Sequence, residues 1–281
     1  MQTFVFIAVL FAALCHAGWN ALAKTGLDPL RATAIMAVGA IAVALAALPF
    51  AGLPGAAAWP WLAASTAIHI FYFAGLIEAY RAGDLGQVYP IARGAAPLMT
   101  ATAATIFVGE HLSALGWSGI AALAAGVLLL SVRGGRGLSG LDRRAVGFAL
   151  FTAVTICAYS VVDGIGARAS GNAVGYTLTL FVCHGTALIV YAHVREGRAV
   201  LALLPRFWRL ALGGGAMQLM SYGIALWAMT LAPIAIVATL RETSVLFGTA
   251  IAVVMLKEPL KPVRIAAALM IMAGLVAIRM S

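Results

Sequence analysis

Ten stretches of this sequence stay apolar for about 20 residues each, the length a helix needs to cross the hydrocarbon core of a bilayer. They run over residues 3–23, 32–51, 58–79, 86–108, 113–132, 145–167, 174–194, 207–229, 234–256 and 263–280. Strands of a transmembrane barrel would alternate apolar and polar residues over segments of about 10. These runs are longer, rich in Ala and Leu, and do not alternate, so helices are expected. The expected fold is an all-α integral membrane protein with ten transmembrane helices. Charge supports this. Only 10% of the 281 residues are charged and the mean hydropathy is +1.03. A soluble domain carries about 25% charged residues. So few charges could not cover a surface in water, which excludes a cytosolic globular enzyme. The segment Met1-Gln2-Thr3 has no basic region, so the first run reads as a span rather than a signal sequence.

The connections between runs are too short for a soluble domain. The longest polar stretch, Arg133 to Arg144, contains Gly134, Gly135, Gly137 and Gly140 and reads as a flexible linker. It divides the chain into two five-helix halves, residues 1–132 and 145–281, with the linker over 133–144. Cys15, Cys157 and Cys183 all fall inside apolar runs with no Cys-x-x-Cys spacing, so they read as packing residues.

The formal net charge is +9, and its placement points to a membrane rather than a nucleic acid. Fourteen basic residues fall at one set of helix ends: Lys24, Arg31, Arg81, Arg133, Arg136, Arg143, Arg144, Arg195, Arg198, Arg206, Arg209, Lys257, Lys261 and Arg264. Two, Arg168 and Arg279, fall at the other set, and two, Arg93 and Arg241, lie within spans. The positive-inside rule then puts the linker in the cytoplasm and both termini outward, with a bacterial inner membrane as the expected location.

A shift of 148 residues lays Arg93 on Arg241, Glu110 on Glu258, Leu112 on Leu260 and Gly126 on Gly274. Identity is low, seven of 46 positions over residues 85–130, but the only two deep arginines coincide. Equivalent loops also carry opposite charge bias. Phe50 to Trp59 has no charge, whereas its counterpart has four arginines between Arg195 and Arg209. Such loops belong on opposite faces, so the two five-helix repeats are expected to be inverted. Inverted repeats are a signature of secondary transporters, which bind substrate near the midplane.

The polar residues inside spans are the candidate site. Arg93 and Arg241 each lie roughly 12 Å into a span, at about 1.5 Å per residue. An arginine at that depth costs about 2.5–3.5 kcal/mol, which a cavity, a carboxylate or an anionic ligand must offset. The two read as a clamp for a carboxylate or phosphate-type group. As a structural pair, Arg93 would meet Glu78 and Arg241 would meet Asp163. His16, Asn20 and Lys24 share a face of span one, as do His69 and Tyr72 in span three, Tyr159 and Asp163 in span six, and Gln218 and Tyr222 in span eight. Arg93, Arg241, Tyr89, His16, Asn20, His69, Tyr72, Tyr159, Gln218, Tyr222 and Ser244 form the expected substrate-binding set. Asp163 and Glu242 are the candidates for proton coupling. Pro90 and Pro97, with Arg93-Gly94 between them, are expected to interrupt span four.

These residues resemble the ten-helix, EamA-like members of the drug/metabolite transporter superfamily. The resemblance covers nearly the whole chain. It rests on His16-Ala17-Gly18-Trp19-Asn20, Tyr89-Pro90-Ile91-Ala92-Arg93, Gly109-Glu110, Ala238-Thr239-Leu240-Arg241-Glu242-Thr243-Ser244 and Lys257-Glu258-Pro259. Lys257 stands where the family pattern has Gly before its Glu. The resemblance implies two inverted repeats, alternating access, and export or exchange of small metabolites. The expected ligand is a small anionic or zwitterionic molecule. The expected partners are that substrate and the lipid bilayer, with no nucleic acid and no cofactor or metal, and a monomer suffices to enclose a cavity. The alternatives are a membrane assembly subunit or a membrane enzyme. His184 and His193 are nine apart and no acidic cluster exists, so an enzyme is not expected.

Overall fold

Backbone in hydrocarbon must satisfy its own hydrogen bonds, and a helix does so within one segment. The computed structural model describes residues 1–23, 27–82, 85–130, 143–255, 257 and 262–281. Within these it describes every side chain except those of 76, 77, 79–82, 85–90, 199, 200, 252 and 255. Among the described residues the chain is all-α, without strands. In order, the helices are α1 (Thr3–Ala23), α2 (Pro29–Ala51), α3 (Trp59–Ala82), α4 (Leu85–Ala103), α5 (Ala114–Leu129), α6 (Arg143–Ala169), α7 (Ala173–Glu196), α8 (Ala199–Ala202), α9 (Trp208–Met229), α10 (Ile234–Arg241), α11 (Ser244–Met255) and α12 (Pro262–Met280). A π-helical turn, Ala104–Val108, extends α4 and ends at Gly109, whose φ of 74° suits a residue without a Cβ.

Among the described residues, seven stretches are long and apolar enough to cross a membrane: α1, α2, Ile91–Val108, α6, α7, Ile234–Ile251 and α12. That many mark a multi-pass membrane protein. Each of the ten expected apolar runs is helical, with ends moved by a few residues. α8 is an addition, formed inside the polar Arg195–Arg209 loop. Side-chain caps fix several starts. Asp28 accepts from the Leu30 amide at 2.9 Å, Ser113 from Gly116 at 3.0 Å and Asn172 from Gly175 at 2.9 Å. Lys24, residues 133–142 of the expected linker, Glu258, Pro259 and Lys261 lie outside the described residues.

The break expected in span four falls elsewhere. α4 runs through Pro97 without interruption from Leu85 to Ala103. A proline removes one amide donor, and here the helix carries on past it. The break falls in the ninth apolar run instead, between α10 and α11. There Glu242 donates to the Thr239 carbonyl at 3.0 Å, Thr243 to Leu240 at 3.1 Å and Val245 to Glu242 at 3.0 Å, a tight i−3 turn inside an otherwise α-helical run.

The packing follows a regular scheme. α2 lies on α7, and α5 on α12. α3 packs on α6 and α7, while α9 packs on α1 and α2. α4 packs on α6, while α10 and α11 pack on α1. Small residues let these backbones approach. A Cβ at Gly119 would meet the Gly274 carbonyl at 2.9 Å, and one at Gly274 would meet the Gly119 carbonyl at 2.6 Å, so α5 and α12 touch backbone to backbone. Outward, Phe50, Phe107 and Leu269 are exposed, as befits a surface in contact with lipid.

Candidate functional site

The described helices enclose a cavity of about 410 Å³. Its mouth is lined by Leu27, Pro29, Leu30 and Thr33, at the turn between α1 and α2. Its floor carries Arg93 from α4 and Arg241, the last residue of α10. Between them the walls are largely aromatic. His69 of α3 stacks on Tyr159 of α6, with ring centroids 4.5 Å apart, and lies 4.7 Å from the ring of His184 on α7. Tyr72 meets Tyr159 edge-on at 5.6 Å, and Phe181 meets His184 at 4.7 Å. The His69 ring is oriented by its own helix, with Nδ1 2.9 Å from the Ser65 carbonyl.

The two arginines have different surroundings. Arg93 Nε forms an ion pair with Glu242 Oε2 at 2.8 Å, both side chains being almost fully buried, and Nη2 donates to Ser244 Oγ at 3.4 Å. The carboxylate partner therefore comes from the α10–α11 break rather than from Glu78. Arg241 lies over the Tyr222 ring, 4.7 Å from guanidinium carbon to centroid. Its Nε has no hydrogen-bond partner, and it makes no ion pair, among the described residues. Glu242 sits within Coulombic range of both arginines, but its ion pair is with Arg93.

Asp163 does not meet Arg241 directly. It is fully buried behind the cavity wall, accepting from the Tyr222 hydroxyl at 2.5 Å and the Tyr176 hydroxyl at 2.9 Å. Tyr222 thus links two charges: its ring faces Arg241 and its hydroxyl holds Asp163. A buried carboxylate with two such donors is well compensated.

Of the expected set, His16, Asn20, His69, Tyr72, Arg93, Tyr159, Gln218, Tyr222 and Arg241 come together on this one cavity. Ser244 and Glu242 stand behind it on Arg93, and the side chain of Tyr89 lies outside the described residues. Sequence reasoning passed over Trp19, Phe73, Phe181 and His184, which also line it. Phe181 and His184 are three apart on one face of α7, a signal that a search for paired metal ligands ignores.

The two ends of the bundle are closed differently. At the end away from the mouth, Glu110 Oε1 accepts from Arg168 Nη2 at 2.8 Å and from the Ile234 amide at 2.7 Å, and Oε2 accepts from the Ala235 amide at 3.1 Å. Glu110 so caps α10, where the backbone dipole favours a negative charge. Arg168 also donates to the carbonyls of Met229 at 2.8 Å and Ala232 at 3.0 Å. Nearby, Gly55 donates to the Ser170 carbonyl at 2.9 Å and Asn172 to the Ala51 carbonyl at 2.7 Å. At the mouth end, Arg31 of α2 pairs with Glu196 of α7 at 2.6 Å, with 42% and 22% of the two side chains exposed.

No family model matches this sequence, and no curated protein matches it. A solved structure described only as a crystal structure of a protein is similar over 99% of this chain and 99% of its own, with a TM-score of 0.77 and 19% sequence identity. At that identity the likeness establishes a shared fold and nothing further.

Proposed function

We propose that this chain is a secondary transporter, an exporter or exchanger of a small anionic or zwitterionic metabolite that works by alternating access, akin to the EamA-like drug/metabolite transporters. The observation that carries the reading is the cavity itself. It places buried charges and an aromatic wall inside an apolar helix bundle, reached from one end and sealed at the other. A packing role alone would not call for arginine at such depth, because the cost is offset only by a partner or a ligand.

Further features support it. The seven apolar stretches, with α3, α5 and α9, make ten helical runs, the number of spans in this reading. The packing partners are matched as two equivalent halves would match them, in keeping with a repeat: α3 with α6 and α9 with α1, α3 with α7 and α9 with α2, α4 with α6 and α10–α11 with α1. A discontinuous span at the ligand is a recurring transporter device. In this reading the mouth faces the cytoplasm of a bacterial cell, the linker is cytoplasmic, the termini face outward, and the chain acts as a monomer without catalysis. Asp163 or Glu242 would couple flux to protons.

Reconstitution into liposomes tests this directly. Candidate metabolites are screened for flux with and without a pH gradient. Arg241→Ala and Arg93→Ala should each abolish flux while expression and folding persist. No flux of any candidate would sink the transporter, normal flux in both variants would sink the arginine clamp, and flux indifferent to the gradient would remove the proton coupling.

A further inference from the structure

Two cations lie on the cavity floor, yet the structure offers a ligand only one of them. Arg93 is held by Glu242 at 2.8 Å and by Ser244, and a third group could claim it only by displacing a carboxylate that is itself buried. Leaving that carboxylate without its partner is strongly unfavourable. Arg241, by contrast, makes no ion pair among the described residues, spreads its guanidinium over Tyr222 and lines the cavity. Beside it stand flat faces: Tyr159 and His69 stacked at 4.5 Å, with His184 4.7 Å from His69. The volume of about 410 Å³ lies at the small end of the usual ligand range, roughly 300–1,000 Å³, and suits one ring with a substituent.

We propose, resting on the transporter reading, that Glu242 is a specificity residue. By occupying Arg93 it leaves Arg241 as the single available arginine among the described residues of the floor, so the site takes a ligand with one anionic group on a flat, unsaturated body and rejects a dianion. The selection is electrostatic. A second anionic group would enter a low-dielectric floor whose other arginine is already neutralised, where uncompensated charge is poorly tolerated. Aromatic surfaces favour the flat body through stacking.

Permanently ionised probes test this without interference from their own titration. Benzenesulfonate, 1,3-benzenedisulfonate and cyclohexanesulfonate are titrated calorimetrically into purified protein in detergent. Benzenesulfonate should bind at least about tenfold more tightly than either of the others. Arg241→Gln should abolish its binding. Glu242→Gln should free Arg93 and erase the preference by tightening the disulfonate about tenfold. Should that variant not fold, Glu242→Asp decides, since its shorter side chain loosens the hold on Arg93 and should weaken the preference.

Equal binding of mono- and disulfonate to the native protein, or no binding by any probe, overturns the charge rule. So does a Glu242 variant that weakens both probes alike, a Glu242→Asp protein with an unchanged preference, or an Arg241→Gln protein that still binds. Cyclohexanesulfonate binding as tightly as benzenesulfonate overturns the flat-body requirement. Flux of labelled benzenesulfonate into proteoliposomes separates the two readings. Binding that obeys the charge rule without flux overturns the transporter and leaves the rule standing. Flux that ignores the second charge overturns the rule and leaves the transporter.

Discussion

The two ends of the bundle are both held by an arginine and a glutamate, and the two pairs are not alike. Arg168 and Glu110 are built into the backbone around them: the carboxylate caps α10 and the guanidinium binds two carbonyls. Among the described residues Arg31 and Glu196 form a side-chain ion pair only with each other, in a half-exposed setting. The contact distances, 2.8 and 2.6 Å, would rank the pairs the wrong way round. Strength follows from burial and from how many other groups each partner satisfies. In the transporter reading, one end is a seal and the other is a loose tie beside an open mouth.

Three substitutions probe that contrast, in falling order of effect. Glu110→Ala removes the acceptor of Arg168 and of two amides at once, and should destabilise the protein by about 3 kcal/mol. Thermal unfolding in detergent reads the loss. The same variant should let a membrane-impermeant thiol reagent reach a cysteine placed at Ser221 from the sealed side, where the native protein admits none. An unchanged melting temperature and unchanged labelling would show that the seal lies elsewhere. Arg168→Gln leaves Glu110 on its α10 amides and should cost less, about 2 kcal/mol, from hydrogen bonds to a charged group. A larger loss than for Glu110→Ala would make the guanidinium, not the carboxylate, the centre of the seal. Arg31→Ala should leave the melting temperature unmoved, because exposed pairs contribute little. A clear drop would mean that the mouth end is held as firmly as the seal.

Much of this was legible in the sequence, for identifiable reasons. Helix position follows from apolar length, a demand that the bilayer imposes on each segment separately, while the added α8 and the split of the ninth run do not. The polar residues of the cavity follow from the same demand, since His16, Asn20, His69 and Tyr222 cannot face lipid at depth. The partners were not legible. Pairing Arg93 with Glu242 requires α4 to meet the α10–α11 break, a contact 149 residues apart in the chain that no local pattern encodes. Asp163 was expected beside Arg241, and Tyr222 stands between them. The break was expected at the prolines of span four and occurs at Arg241–Ser244, because hydrogen-bonded neighbours decide whether a helix survives a proline. Phe181 escaped notice because an aromatic residue in an apolar run carries no contrast with its surroundings, and His184 was weighed only as a partner of His193.

α10 has eight residues and is therefore a stiff rod about 12 Å long. Glu110 grips its first amides, and Arg241 is its last residue. A rod held at both ends carries information in both directions. Whatever ligand at Arg241 prefers one tilt of α10 must, by thermodynamic linkage, alter the hold of Glu110 by the same factor, and loosening Glu110 must alter ligand affinity equally. In the transporter reading α10 is a lever hinged at the tight turn by Glu242, and the ligand and the seal read each other through it.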